Sequence, residues 1–154
     1  MTRSRESQNR KDISGMDQRI GNFESLEAAR AFFREDRYAT ETGAVIDELR
    51  EGQSVCSLEI NEHHMNAEGK LMGGVIFTLI DFAFAAAAAT VHRPTVVMQV
   101  SVSYLNAAKG KRLTARAECR KDGRTSCVYN VQVTDEDGRD IAQAVMTGFK
   151  LGKN

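Results

Sequence analysis

One stretch, residues 72–91, does most to limit what this chain can fold into. Gly73-Gly74-Val75-Ile76-Phe77-Thr78-Leu79-Ile80-Asp81-Phe82-Ala83-Phe84 runs into alanines at positions 85–89, and Asp81 is the only ionisable side chain in the stretch. A helix that is apolar on every side must be covered on nearly every side, by lipid or by protein. About 20 apolar residues suffice to span a bilayer. The Gly-Gly start, the internal carboxylate and the soluble-looking strands on either side argue instead for a protein cover. A strongly curved antiparallel sheet wrapped around the helix is the simplest one, and the alanine run lets such a sheet approach closely.

The flanks supply the sheet. Residues 44–50 and 54–60 read as two short strands joined at Glu51-Gly52-Gln53, with Val55, Ser57 and Glu59 alternating against Cys56, Leu58 and Ile60. Past Pro94 the pattern has period two to the end of the chain. Val96, Met98, Val100, Val102 and Tyr104 share one face of a strand, and Leu113, Ala115, Ala117 and Cys119 share one face of the next. Asp122-Gly123 and Asp137-Gly138 are turn signals, and residues 125–134 and 141–151 complete what reads as an antiparallel meander. Ahead of the hairpin, Leu26, Ala29, Phe32, Phe33 and Ala39 recur at helical spacing behind a Ser25 N-cap, predicting one amphipathic helix over residues 25–40. The order implies an α+β domain over residues 22–154, preceded by a polar, flexible tail at 1–21.

Composition narrows the function classes. Lys plus Arg equals Asp plus Glu at 21 each, so total charge draws the protein neither to nucleic acid nor to an anionic membrane. Cys56, Cys119 and Cys127 are odd in number and lack a CxxC spacing, which suits a reducing compartment better than a disulfide framework or zinc knuckle. The first residues have no apolar core of a secretory signal, so the expected location is the cytoplasm.

Asp81 is the most informative residue. A carboxylate among Phe77, Ile80, Phe82 and Phe84 is costly unless paired, hydrogen-bonded or neutralised. It could serve chemistry, or only hold a subunit interface in register. The start of the helix supplies context. Gly73 and Gly74 leave bare N–H groups at the positive end of the helix dipole, suited to a carbonyl oxygen that gains negative charge during acyl transfer. A glycine pair at such a junction also has a packing explanation, close approach to a sheet. At about 1.5 Å of rise per residue, Gly73 and Asp81 stand roughly 12 Å apart on one helix, too far to act on one carbonyl. If two helices lie antiparallel across a twofold axis, Asp81 of one can face Gly73 of the other. The catalytic reading therefore requires a dimer.

The run Asn66-Ala67-Glu68-Gly69-Lys70-Leu71-Met72-Gly73-Gly74, with Asp81 eight residues past Gly73, resembles the active-site segment of the PaaI-type hotdog thioesterases, whose pattern is Asn-x-x-Gly-x-x-His-Gly-Gly. The resemblance extends to residues 96–104, Asn106-Ala107-Ala108-Lys109-Gly110 and Leu113-Thr114-Ala115-Arg116-Ala117, covering approximately residues 44–151. It implies a hotdog fold, a homodimer or dimer of dimers, and hydrolysis of an acyl-CoA thioester without metal or redox cofactor. It also implies roles: Asp81 as base or nucleophile, contributed by the opposite subunit, Asn66 to place the attacking water, and the Gly73 N–H as oxyanion donor, beside Gly74. Met72 stands where the family has His, and it can neither donate a hydrogen bond nor carry charge. That departure keeps open a hotdog protein that binds acyl-CoA or another apolar ligand without turning it over. A hydratase or dehydratase on the same fold would want a second acid–base residue beside the carboxylate, most naturally the missing His.

Lys109, Lys111 and Arg112 form a basic cluster that could meet the phosphates of coenzyme A, with Lys70 and Arg93 as weaker candidates. His63 and His64 read as solvated loop residues and make a poor metal site, His92 reads as a residue of the helix C-terminus, and Asp135-Glu136-Asp137 reads as an ordinary turn.

Overall fold

The computed structural model describes residues 18–152. Its element order is α1 (Leu26–Phe33), α2 (Arg37–Thr42), β1 (Val45–Arg50), β2 (Gln53–Glu59), a 3-10 turn at Glu62–His64, α3 (Gly73–Val91), β3 (Thr95–Tyr104), β4 (Arg112–Asp122), β5 (Ser126–Asp135) and β6 (Asp140–Lys150). The six strands form one antiparallel sheet in the order β1-β2-β4-β5-β6-β3, and α3 packs on it. This is the hotdog architecture, an α+β domain with a long apolar helix held in a sheet.

Alternation decides which side of each strand meets the helix. Leu113, Ala115 and Ala117 of β4, Tyr129, Val131 and Val133 of β5, and Ala142, Ala144 and Met146 of β6 are buried against Leu79, Ile80, Ala83, Phe84 and Ala87. Phe84 meets Tyr129 edge-on at 5.3 Å between ring centroids. Gly148 makes room for this ring: a Cβ there would lie 2.9 Å from Phe84 Cζ and 2.8 Å from Cys127 Sγ. At the C-terminal end of α3, Thr90 Oγ1 accepts the Gly52 N–H of the β1–β2 turn at 2.8 Å, and at mid-helix Ser54 Oγ donates to Ala83 O at 2.6 Å. Gly73–Val91 is long and apolar enough to cross a membrane, but most of it is buried within the domain.

Four expectations change. The single helix over 25–40 is two helices, because the Asp36 side chain accepts from the Ala39 N–H and starts α2 as a new N-cap. The strands after Pro94 are not one meander: β4, β5 and β6 are, but β3 pairs with β6 at the far edge of the sheet. The chain therefore crosses over at residues 105–111 to reach β4. A bulge between Val97 and Gln99 breaks the alternation of β3, so that Val100 and Val102 pack against the core while Val96, Val97 and Met98 are exposed. Ordered structure also begins before residue 22. Ile20 bridges Phe23, the Asn22 N–H donates to Thr90 O at 2.9 Å, and Gly21, at φ +53°, lies where a Cβ would meet Thr90 O. Residues 1–17 of the expected tail lie outside the described residues.

Candidate active site

The start of α3 is fixed by the loop before it. Asn61 accepts from the His63 N–H, and His64 is buried with both ring nitrogens engaged. Nδ1 accepts the Asn61 N–H at 3.1 Å, so Nε2 is the nitrogen that donates to Thr42 O at 2.7 Å. His64 is thus a neutral structural brace and not the solvated residue expected, whereas His63 is exposed. The His64 carbonyl then accepts the Met72 N–H at 2.9 Å. Between them Asn66 closes a tight turn: its Oδ1 accepts the N–H groups of Glu68 and Lys70, each at 3.0 Å. With Oδ1 occupied, the Nδ2 amide is the part of Asn66 left for a ligand.

Met72 is the N-cap of α3, with extended backbone and no side-chain capping bond. Among the described residues no acceptor meets the N–H of Gly73 or Gly74, as expected for the first turn of a helix. Neither glycine is demanded by its own chain. A Cβ on Gly73 would find Tyr104 at 3.5 Å and one on Gly74 would find the Met72 methyl at 3.5 Å, both ordinary contacts, and neither residue has positive φ. The packing explanation for the pair therefore fails within the protomer.

In front of Gly73 lies a cleft of about 640 Å³, walled by Met65, Lys70 and Leu71 and by Tyr104 at the end of β3 with Asn106, Ala108 and Gly110 of the crossover. The Tyr104 hydroxyl donates to Gly73 O at 3.3 Å. The sequence placed Tyr104 on a strand face; only the edge position of β3 brings it to the helix start.

Asp81 does not line this cleft. It shares the outward stripe of α3 with Gly74 and Phe77, which are exposed in the single chain, and with Thr78 and Ala85, which are partly so. The sheet covers the other sides of α3 and leaves this one open. Desolvation by its apolar surroundings, and secondarily the negative charge of Asp36, raise the Asp81 pKa above 3.8.

The basic cluster divides. Arg112 donates to Ser57 Oγ at 2.8 Å and lies 3.4 Å from Asp47 Oδ1, tying β4 to β2 and β1 rather than facing the cleft. Arg93 is stacked on Phe23 and Phe32, 4.6 and 4.8 Å from the ring centroids. Lys70 lines the cleft, and Lys109 and Lys111 flank Gly110 of its wall, both exposed. His92 caps the end of α3 near Pro94 O. Asp135 is no ordinary turn residue: it is buried and accepts three backbone N–H groups, a point the acidic run at 135–137 gave no means of seeing. A second cavity of about 430 Å³, also unforeseen, lies between α1 and β1 with Phe33, Ile46 and Phe82 among its walls. Among the described residues no group of three or more His, Cys, Asp or Glu side chains is placed to hold a metal ion.

Known proteins of similar sequence and fold are thioesterases. The model of the family described as "Thioesterase superfamily" matches residues 68–142. Human acyl-coenzyme A thioesterase 13 is 32% identical over 96 residues, 60% of this chain and 69% of that protein. Acyl-coenzyme A thioesterase PaaI of Escherichia coli is 27% identical over 115 residues, 74% of this chain and 82% of that protein. The E. coli PaaI structure superposes with a TM-score of 0.78 at 24% identity, over 83% of this chain and 94% of its own, a likeness of fold. A thioesterase structure with coenzyme A from Streptococcus pneumoniae gives 0.73 at 28% identity, over 79% and 98%. Fold and relatives together define a thioester hydrolase of the hotdog class. The chain belongs to the thioesterase superfamily, among its PaaI-type members.

Proposed function

We propose that this protein hydrolyses acyl-coenzyme A thioesters to coenzyme A and a carboxylate, at a site shared by two copies of the chain. The observation that carries the reading is the Gly73-Gly74 pair: unsatisfied N–H donors at a helix start, beside a cleft, on residues whose lack of a side chain nothing in their own chain requires. The relatives named as acyl-coenzyme A thioesterases, and the S. pneumoniae structure with coenzyme A, support the substrate class.

In this reading the thioester carbonyl accepts the Gly73 N–H at the positive end of α3, where charge developing on oxygen is stabilised. The Asn66 amide orients a water, and Asp81 of the opposite copy takes its proton as hydroxide adds to the carbonyl carbon. Collapse of the tetrahedral adduct breaks the carbon–sulfur bond, and the proton held by Asp81 passes to the departing thiolate. If Asp81 instead attacks directly, water cleaves the resulting anhydride with the same products. The reaction needs water alone, without metal or redox cofactor. A carboxyl pKa raised toward the working pH suits a general base. Lys70, Lys109 and Lys111 supply positive charge around the cleft for the nucleotide phosphates, with Met72 and Gly74 beside the thioester.

Two features support the dimer. The outward stripe of α3 carries Asp81 beside Phe77, and the edge strand β3 exposes Val96, Val97 and Met98, an open apolar edge that soluble proteins normally cover. A panel of acyl-CoA esters assayed with a thiol-detecting reagent tests the activity. Turnover of at least one ester is expected; a folded protein that releases no thiol from any of them refutes the reading.

A further inference from the structure

We propose that the Asp135-Glu136 corner at the β5–β6 turn is a positioning device for the crossover 105–111, and that Asp135 thereby sets affinity for the nucleotide end of the substrate without touching the reacting atoms. The proposal rests on the acyl-CoA reading above.

The crossover spans the sheet from the edge strand β3 to β4 and has no regular structure of its own. Such a segment keeps one conformation only if its backbone finds partners elsewhere. It finds them along the β5–β6 corner. The Leu105 N–H donates to Ile141 O at 2.8 Å and Asn106 Nδ2 to Asp140 O at 2.8 Å. The two lysines follow: the Lys109 N–H donates to Asp135 Oδ2 and the Lys111 N–H to Glu136 Oε1, each at 2.9 Å. Gly110, between them at φ +82°, lies so close that a Cβ there would stand 2.8 Å from Glu136 Oε2.

Asp135 joins the two pieces. Its Oδ1 accepts the N–H groups of Asp137 and Arg139, each at 3.0 Å, which any turn-forming Asp could do. Its Oδ2 reaches a residue 26 positions earlier in the chain, which the turn itself does not need. The side chain is buried, so both oxygens depend on these donors. The Lys109 bond acts first, against the opposing cost of burial, to hold the carboxyl below its ordinary 3.8. The segment so held carries Ala108 and Gly110 in the wall of the cleft in front of Gly73, and the lysines on either side of Gly110 are in no ion pair among the described residues.

The test is Asp135→Asn in the full chain. Asparagine keeps an oxygen for the turn but brings an amide NH2 against the Lys109 N–H, donor facing donor, and so breaks one tie selectively. Two substrates with the same acyl group are compared: the CoA thioester and the N-acetylcysteamine thioester, which lacks the nucleotide. For the CoA thioester KM should rise about tenfold, the size of one lost charge-assisted hydrogen bond, with kcat within about twofold. Both constants for the short thioester should be unchanged. Calorimetric titration with coenzyme A itself gives a readout independent of turnover and should show the same weakening of about tenfold. Glu136→Ala, at an exposed position, removes the Lys111 tie without entering the buried corner and should act in the same direction, should Asp135→Asn fold poorly. Unchanged coenzyme A affinity in both folded variants overturns the proposal, as does an equal loss on the two thioesters. A wild type that binds coenzyme A but hydrolyses neither thioester counts against the proposed function, and the titrations still decide the role of Asp135.

Discussion

At the scale of the residue, the proposed chemistry turns on a carboxyl that its surroundings press toward the neutral form. Asp81 is raised above 3.8 by desolvation first and by Asp36 second. A raised acid pKa in the folded state contributes stability below the unfolded value and loses it as pH climbs through the folded one. Ionisation of Asp81 is therefore expected to disfavour the fold as pH rises, in the same form in which the proposed mechanism uses it as base. Asp81→Asn should lower kcat/KM by about two to four orders of magnitude, the range for losing general base catalysis, while leaving the melting temperature equal or higher. Near wild-type turnover would remove Asp81 from the mechanism. The acid limb of the kcat/KM profile should sit above pH 3.8, and Asp36→Asn, which removes the second cause, should move it toward lower pH; an unmoved limb would mean that Asp36 does not act on the base. Met72 is the other telling residue. Because the proposed donor is the Gly73 N–H and not a side chain, Met72→Ala should retain substantial activity and Met72→His should preserve or raise it. If wild type is active and Met72→His abolishes activity in a folded protein, the thioester carbonyl does not lie beside this segment.

Among the elements, α3 and the strands around it were the most legible. The lone carboxylate in an apolar run, the turn glycines and the period-two stretches 113–119 and 125–134 all carry their structural cause in the residues themselves. What escaped was set by partners distant in the chain. Nothing in residues 96–104 signals a bulge at Met98, because the register is imposed by pairing with β6. His64 looked solvated because its acceptor, Thr42 O, lies 22 residues away. Asp135 looked like a turn acid because Lys109 reaches it only through the crossover. The candidate site shows the same division: Asn66, Gly73 and Asp81 stood out by type and spacing, whereas Tyr104 and the crossover wall needed the strand order. Packing between α3 and β6 offers a direct check. Gly148→Val would force side-chain atoms into Phe84 and Cys127 and should destabilise the fold by about 1–3 kcal/mol, the usual cost of overpacking, in a urea titration. An unchanged midpoint would show that the helix does not sit this close to β6.

For the whole molecule, the single chain leaves two surfaces open that the proposed dimer would cover, the outward stripe of α3 and the free edge of β3. Sedimentation at micromolar concentration should find a dimer or a dimer of dimers; an active monomer would contradict a shared site. The most direct measurement is complementation between two chains disabled at different places. Asp81→Asn removes the proposed base. Gly73→Pro removes the N–H at the first helical position, where proline is tolerated, behind a Met72 whose extended backbone accepts a following proline. Each variant alone should be inactive. After mixing and subunit exchange, half the dimers are mixed, and in each of these one site carries both lesions while the other carries neither, so that about one quarter of wild-type activity should return by twofold symmetry. Recovery of that size is expected if Asp81 of one copy serves Gly73 of the other; verified mixed dimers that stay inactive would contradict it.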